Sequence, residues 1–250
     1  MSDLRQKITS FIAQEVAKAN VGGLLRPPRV GFASPEDPLF HEIIRQVGPH
    51  HLHPFDILPE TKTVVSFFVP FPKFVVEANR REKPVARLWG LAYLAANAAI
   101  NHTSESLVTM VKDLGGQAAL MPATYGFDPN TFKTVWSHRS AALIAGHGRF
   151  GLNRMLIGPL GGAGRYGTIF ISKPIAPSPK QREDYCLNLK KGSCRSCVKA
   201  CPVGALTDGG IDRHKCHGQC LSNSDFLNFY SGLGEVCGRC VTACPRAFIA

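Results

Sequence analysis

The chain has 250 residues, 44% of them hydrophobic, and a formal net charge of +11 at neutral pH. That length allows one full core plus a small second unit, and the basic residues form no run of five, which argues against a nucleic-acid footprint. The N-terminus mixes Asp3, Lys7, Glu15 and Lys18 with its apolar residues and no apolar window reaches the length of a bilayer span, so neither a secretory signal nor membrane association is expected and the protein reads as cytoplasmic.

Leu4, Ile8, Phe11, Ile12 and Val16 recur at helical spacing and predict an amphipathic helix over 3–20. Residues 26–60, rich in Pro, Gly and His, are expected to be irregular apart from a short helix at "PLFHEIIRQV". The β-branched and aromatic run "TVVSFFV" (63–69), closed by Pro70, predicts a buried strand. A long Ala-rich helix is expected from Pro84 to Asp113, with Gly115 and Gly116 ending it. "QAALM" (117–121) predicts a strand and "HRSAALIA" (138–145) a helix ending at Gly146, while "RMLIG" and "YGTIFIS" around the turn "PLGGAG" predict a β-hairpin. Strands and helices alternate through an α/β or α+β body over 1–175. The segment "KPIAPSPKQR" (173–182) reads as a linker to a cysteine-rich domain over 183–250.

Gly146, Gly148 and Gly151 spell G-x-G-x-x-G within "AGHGRFGLN", the pattern of a dinucleotide-binding loop. That loop needs a strand before it, a helix after it and an acidic residue about 20 positions later. Here a helix comes first, and no Asp or Glu stands between Gly151 and Glu183. The motif therefore reads as a helix end and tight turn rather than a nucleotide site.

All nine cysteines fall in residues 186–250, in spacings that suit metal ligands better than disulfides. "CRSCVKACP" (194–202) and "CGRCVTACP" (237–245) are one phrase, C-x-x-C-V-x-A-C-P, written twice. In two-cluster ferredoxins the cysteine before the proline ligates the other cluster. That rule assigns Cys194, Cys197 and Cys244 to one [4Fe-4S] site and Cys237, Cys240 and Cys201 to the other. Cys216, between the repeats, is the expected fourth ligand of the second site. For the first site the usual earlier cysteine would fall at Lys191, so Cys186 is the expected substitute, with Cys220 the alternative. Structural zinc also favours paired C-x-x-C grips, but it leaves the doubled Cys-Pro crossover without a reason.

The block "SHRSAALIAGHGRFGLNRMLIGPLGGAGRYGTIFIS" ahead of such a cysteine module resembles the epoxyqueuosine reductase family, which belongs with the corrinoid-dependent reductive dehalogenases. "ILPETKTVVSFFVPFP" is similar to an early strand of that family. The resemblance covers roughly residues 60–250 and is strongest from Arg139 onward. It implies a nitroreductase-like body, a cobalamin bound without a lower-face ligand, and two [4Fe-4S] clusters feeding it electrons from an external ferredoxin- or flavodoxin-type donor. Arg139, Gly146, Gly148 and Gly151 match the family's positions, and with His147 they are the implied cofactor-binding residues, the glycines letting a flat macrocycle come close. The implied substrate is a tRNA or a small molecule. Two departures stand out. Phe132 occupies the position of the family's proton-donating Asp, with Asp128 the nearest acid, and the family's tRNA-holding C-terminal extension has no counterpart. No catalytic residue is assigned, and the alternative is an electron-transfer or regulatory protein without its own substrate.

Further polar residues have plainer expectations. The "HHLH" histidines, His50, His51 and His53, suit capping or surface roles better than metal binding. His138 and His147 flank the glycine block and stand equally as cavity or packing residues. Tyr125 and Tyr166 have the chemistry of proton donors, although packing is the commoner use.

Overall fold

The computed structural model describes residues 2–123, 128, 130–228 and 234–250; Tyr125 lies outside them. Strands β1 (Arg29–Ala33), β2 (Thr63–Pro70), β3 (Ala118–Met121) and, later in the chain, Gly164–Ile171 form an antiparallel sheet. Its order is β1, β2, the Gly164–Ile171 strand, then β3. Every residue of β2 is buried, so this strand needs cover on both sides, and the alternation of its side chains divides them between two layers. Val65, Phe67 and Val69 meet Ile8, Ile12 and Val16 of helix α1 (Ser2–Ala19) and the residues Ala92, Ala96, Ala99, Ile100 and Leu107 of the long helix Arg87–Asp113. Val64 and Phe170 face the other way, onto Phe40 of α2 (Pro38–Val47), Trp136, and Ala141 and Ile144 of the helix His138–Ile144.

The remaining helices are α3 (Pro54–Ile57), α4 (Lys73–Arg81), α7 (Leu187–Lys191), α8 (Ser196–Lys199), α9 (Arg213–Leu227) and α10 (Arg239–Thr242), which makes Arg87–Asp113 α5 and His138–Ile144 α6. Two short strands, β4 (Arg149–Phe150) and β5 (Leu156–Ile157), pair with each other, so Gly164–Ile171 is β6. Mixed α and β structure is thus present as the alternation implied. Among the described residues no helix is long and apolar enough to cross a membrane.

Three local expectations change. The hairpin around "PLGGAG" does not form: both edges of β6 are taken by β2 and β3, and β5 turns back onto β4 instead. Within the turn only Gly158 and Gly161 bridge, while the Gly162 and Ala163 N–H groups donate to the Ala247 carbonyl near the C-terminus. The stretch expected to be irregular contains β1, and helix α4 arises from "KFVVEANRR", where three consecutive residues, Val75, Val76 and Glu77, obscure the period although the first two are buried. Helix α5 starts at Arg87 rather than Pro84: Ala86 is its N-cap in an extended conformation, and the Ala86 N–H is satisfied by the Asn79 side chain.

The proline-rich segment 173–182 has neither helix nor strand, yet it is fastened to β1: the Ser178 N–H donates to the Phe32 carbonyl at 2.8 Å and the Phe32 N–H to Ser178 Oγ at 3.0 Å. The cysteine-rich region beyond it is built into the main core, with Leu227, Val236, Val241 and Ala247 in the same apolar cluster as β2 and α5.

His147, just past α6, is buried and its Nε2–H donates to the Ser66 carbonyl of β2 at 3.1 Å. Burial, reinforced by the Arg29 cation, holds its pKa down to about 3, so the folded ring is neutral. The unfolded ring gains its proton near pH 6.5 and the folded one only far below, so stability contributed by the neutral ring is present above pH 6.5 and drains away as pH falls.

Ile100→Ala, which empties a fully buried position between α5 and the sheet, is expected to lower the unfolding free energy by about 2–5 kcal/mol in urea titrations, whereas Leu91→Ala on the exposed face should leave it nearly unchanged. Between pH 7 and pH 5 the wild type should lose about 2 kcal/mol through His147. His147→Gln should remove that part of the slope; an unaltered pH profile in the variant would exclude His147 as its source.

Candidate functional site

The first turn of each cysteine phrase sits on a short helix, and the structure sorts the nine thiols into two groups. Cys186, Cys194, Cys197 and Cys244 line one small cavity, together with Asn153, Ile157, Leu187 and Pro245. Cys186 is the N-cap of α7 and its sulfur accepts the Leu152 N–H at 3.4 Å. Cys244 Sγ likewise accepts the Arg246 N–H at 3.4 Å. The second group holds Cys216, Cys220, Cys237 and Cys240, which are electrostatic neighbours of one another, and Cys201, a neighbour of Cys237 and Cys240. Cys201 Sγ accepts the Ala205 N–H at 3.2 Å. Each phrase therefore sends its Cys-Pro cysteine to the other phrase's group: Cys244 joins Cys194 and Cys197, and Cys201 joins Cys237 and Cys240. The groups adjoin through Cys197 and Cys240, both part of a small apolar cluster with Leu152 and Leu206.

Burial raises the Cys240 thiol to about 12 and the Cys244 thiol to about 11, and neighbouring thiols add to both effects. Cys197 and Cys237 are also raised by burial. Cys216 is the exception: a hydrogen bond from Cys220 lowers it to about 7, while the same bond and burial raise Cys220. With most thiols protonated near neutrality, binding of a thiophilic metal would release protons. Backbone N–H groups aimed at sulfur are the kind of contact that stabilises a thiolate once formed.

The donor set can be weighed between a single ion and a larger cluster. Among the described residues no three Cys, His, Asp or Glu donors converge on one point. A zinc ion requires that convergence. A four-iron cube does not, because each thiolate caps a different iron, and four thiols ringing a cavity fit that requirement.

Two connections hold the second phrase in place, and neither was foreseen from the sequence. Asn79 of α4 is fully buried and its Nδ2 donates to the Cys237 carbonyl at 3.0 Å. Gly238, at φ 66°, lies flat on Trp89, where an added Cβ would come within 2.3 Å of the indole. Only a residue without a side chain suits both constraints. The available signal was the glycine inside the second C-x-x-C, where the first has Arg195 and Ser196.

The glycine block has a structural explanation of its own. A Cβ on Gly146, whose φ is 81°, would lie 2.2 Å from the Pro179 carbonyl oxygen, one on Gly148 2.3 Å from that of Ile157, and one on Gly151 2.7 Å from the Ile157 side chain. The close approach is made by the protein's own chain. His147 faces Ser66 as described, and Tyr166 is buried and stacked on Phe68, its hydroxyl raised by desolvation. His138 Nε2 lies 2.9 Å from the Pro122 carbonyl, which can only accept, so Nε2 carries the proton and Nδ1 accepts from the Thr168 hydroxyl. Burial lowers its pKa to about 4, consistent with that neutral ring.

Arg139 differs from these inward-turned neighbours. It is solvent-exposed yet hemmed in, donates to the Arg154 carbonyl at 3.1 Å, and lies in the fields of Arg165, Tyr166, Arg213 and Cys240. It thus lies between Arg165 and Tyr166 of the body and Arg213 and Cys240 of the cysteine region. On the Arg213 side, Phe132 adopts a left-handed φ of 53°, its ring meets His214 and His217 edge-on, and its carbonyl accepts from Arg213. Asp128 is spent on its own turn, accepting from the Asn130 N–H and the Thr131 hydroxyl. Of the "HHLH" histidines, His53 caps α3 and His51 accepts the Ser137 N–H at 3.1 Å.

No protein-family model matches the chain. An epoxyqueuosine reductase of Bacillus cereus is 24% identical over 245 residues, covering 87% of this chain and 60% of the relative. One from Bacillus anthracis is 33% identical over 116 residues, 44% of this chain and 29% of its own. In three dimensions the chain is similar to an epoxyqueuosine reductase solved with an epoxyqueuosine-modified tRNA stem loop, with TM-score 0.62, 21% identity, and coverage of 98% of this chain and 66% of that one. It also resembles a reductive dehalogenase whose structure suggests a mechanism for B12-dependent dehalogenation, with TM-score 0.60, 17% identity, and coverage of 87% of this chain and 29% of that one. The chain spans about three fifths of the length of the Bacillus cereus relative. In sequence and in fold, then, this protein is similar to epoxyqueuosine reductases.

Proposed function

We propose that the protein is an iron–sulfur oxidoreductase that holds two [4Fe-4S] clusters and delivers their electrons to a corrinoid. Cys186, Cys194, Cys197 and Cys244 would hold the first cluster, and Cys201, Cys237, Cys240 and Cys216 the second. The observation that carries this reading is the exchange of Cys201 and Cys244 between the two repeated phrases, which a pair of adjacent clusters would explain. Cys197 beside Cys240 would keep the two clusters close enough for electrons to pass between them.

When bound, a corrinoid supplies a strongly reducing cobalt centre. The residues available to it would be Arg139 from α6, Arg213 from α9 and Phe132, beside the second cysteine group. Arg139 offers a fixed positive charge to an anionic group there. The space beside the glycines is already filled by the chain's own packing, so they would not touch a ligand. His138 and His147 hold their protons in bonds to carbonyls.

The names of the relatives support reduction as the reaction, and the relative solved with a modified tRNA stem loop supports RNA as a substrate class. An external one-electron donor of the ferredoxin or flavodoxin type would reload the clusters. A second reading, an electron carrier without its own substrate, is favoured by one observation: the apolar Phe132 faces α9 from the loop where the family has its acid, and Asp128 is committed to its turn.

Anaerobically reconstituted protein is expected to bind about eight irons per chain, and Cys186→Ala about four, measured by iron and sulfide content. Low-temperature EPR of the partly reduced protein with added cobalamin should show two cluster signals and a cobalt signal altered from that of free cobalamin. Two cluster signals with cobalt unchanged would select the electron-carrier reading.

A further inference from the structure

The second cysteine group contains five thiols, one more than a cluster with four thiolate ligands uses. The surplus comes from α9. Its residues Cys216, Cys220, Asn223 and Leu227 recur at helical spacing and share one face. That face points inward: Leu227 is in the main core and Asn223 is buried, with its Nδ2 donating to the Val236 carbonyl at 2.8 Å, one residue before Cys237. Gln219 secures the Asn223 amide at 2.8 Å, and His217 meets Glu235 at 3.4 Å, so α9 is tied to the 235–237 segment at several points. Cys216 and Cys220 stand one helical turn apart on that face, and both are neighbours of Cys237 and Cys240.

We propose that Cys216 and Cys220 form one duplicated ligand position of the second cluster, with Cys216 bound to iron, Cys220 donating its S–H to that sulfur, and Cys220 replacing Cys216 when Cys216 is lost. Replacement would break the Cys216 sulfur–iron bond, or the bond to a solvent ligand where residue 216 has no thiol, and the Cys220 S–H bond, whose proton passes to the departing group; one Cys220 sulfur–iron bond forms, with no change in oxidation state. One helical turn separates the two sulfurs along α9, so the exchange needs only side-chain rotation and a small shift of the helix. The donated S–H hydrogen bond would also withdraw charge from the cluster sulfur and raise its potential, because hydrogen bonds to the sulfurs are among the features that set cluster potentials.

This inference rests on the two-cluster reading, and the test separates the two. Cys216→Ala, Cys220→Ala, the double variant and Cys237→Ala would be reconstituted anaerobically, with iron content and reduced-state EPR as readouts and the first cluster's signal as the check on folding. Alanine is used because a serine oxygen can itself bind iron. Both single α9 variants should keep about eight irons, while the double variant and Cys237→Ala should fall to about four. Redox titration of Cys220→Ala should move the second cluster to lower potential with the first unchanged. A Cys216→Ala protein with about four irons would overturn the shared position, and an unshifted potential in Cys220→Ala would overturn the hydrogen bond. A wild type with only one cluster would instead overturn the two-cluster reading.

Discussion

Asn79 is the joint on which the cysteine site depends. Its carboxamide is fully buried, and a buried amide left without partners is costly. It finds them in three places: Oδ1 accepts the Ala86 N–H at 2.9 Å, and Nδ2 donates to the Cys237 carbonyl at 3.0 Å and to Thr242 Oγ1 at 3.4 Å. One side chain thereby fixes the end of α4, the start of α5 and the second cysteine phrase relative to one another. Arg80 adds bonds to the carbonyls of Thr242 and Cys244, and Arg239 returns to those of Asn79 and Glu82. These are hydrogen bonds from charged donors, stronger than neutral ones, and they lie immediately behind the thiols.

The consequence is that the cysteine region is not a detachable module. Its cysteines depend on the body for position, and the body depends on the C-terminal chain to finish its core: Gly162 and Ala163 donate to Ala247, and Val236 and Val241 lie against residues of α5 and β2. Metal binding, which deprotonates buried thiols, would therefore add its binding free energy to the stability of the whole chain. Positions far from sulfur, such as Trp89 beneath Gly238, become part of the same unit.

The surroundings of Arg139 are likewise set by parts distant in the chain. Phe132 places its ring edge-on to His214 and His217 of α9, the Arg213–Phe132 bond holds the two segments together, and Arg139 lies near Arg213 and Cys240.

Much of this was legible in the sequence because it depends on local spacing. The period of α1, the apolar run of β2, the glycine-terminated α5 and the twice-written cysteine phrase carry their own structure, and the grouping of thiols follows once Cys-Pro is read as a crossover. The sequence also excluded a nucleotide loop, since helix and strand came in the wrong order. What the tertiary structure alone decided is everything set by partners distant in the chain. The partner of β6 depends on which edges β2 and β3 occupy, and the use of Gly146 and Gly148 depends on Pro179 and Ile157 lying against them. The membership of Cys186 and Cys220 in different groups depends on where α7 and α9 dock. Spacing along a chain records which side chains share a turn or a face; it does not record which distant backbone will fill the space beside them.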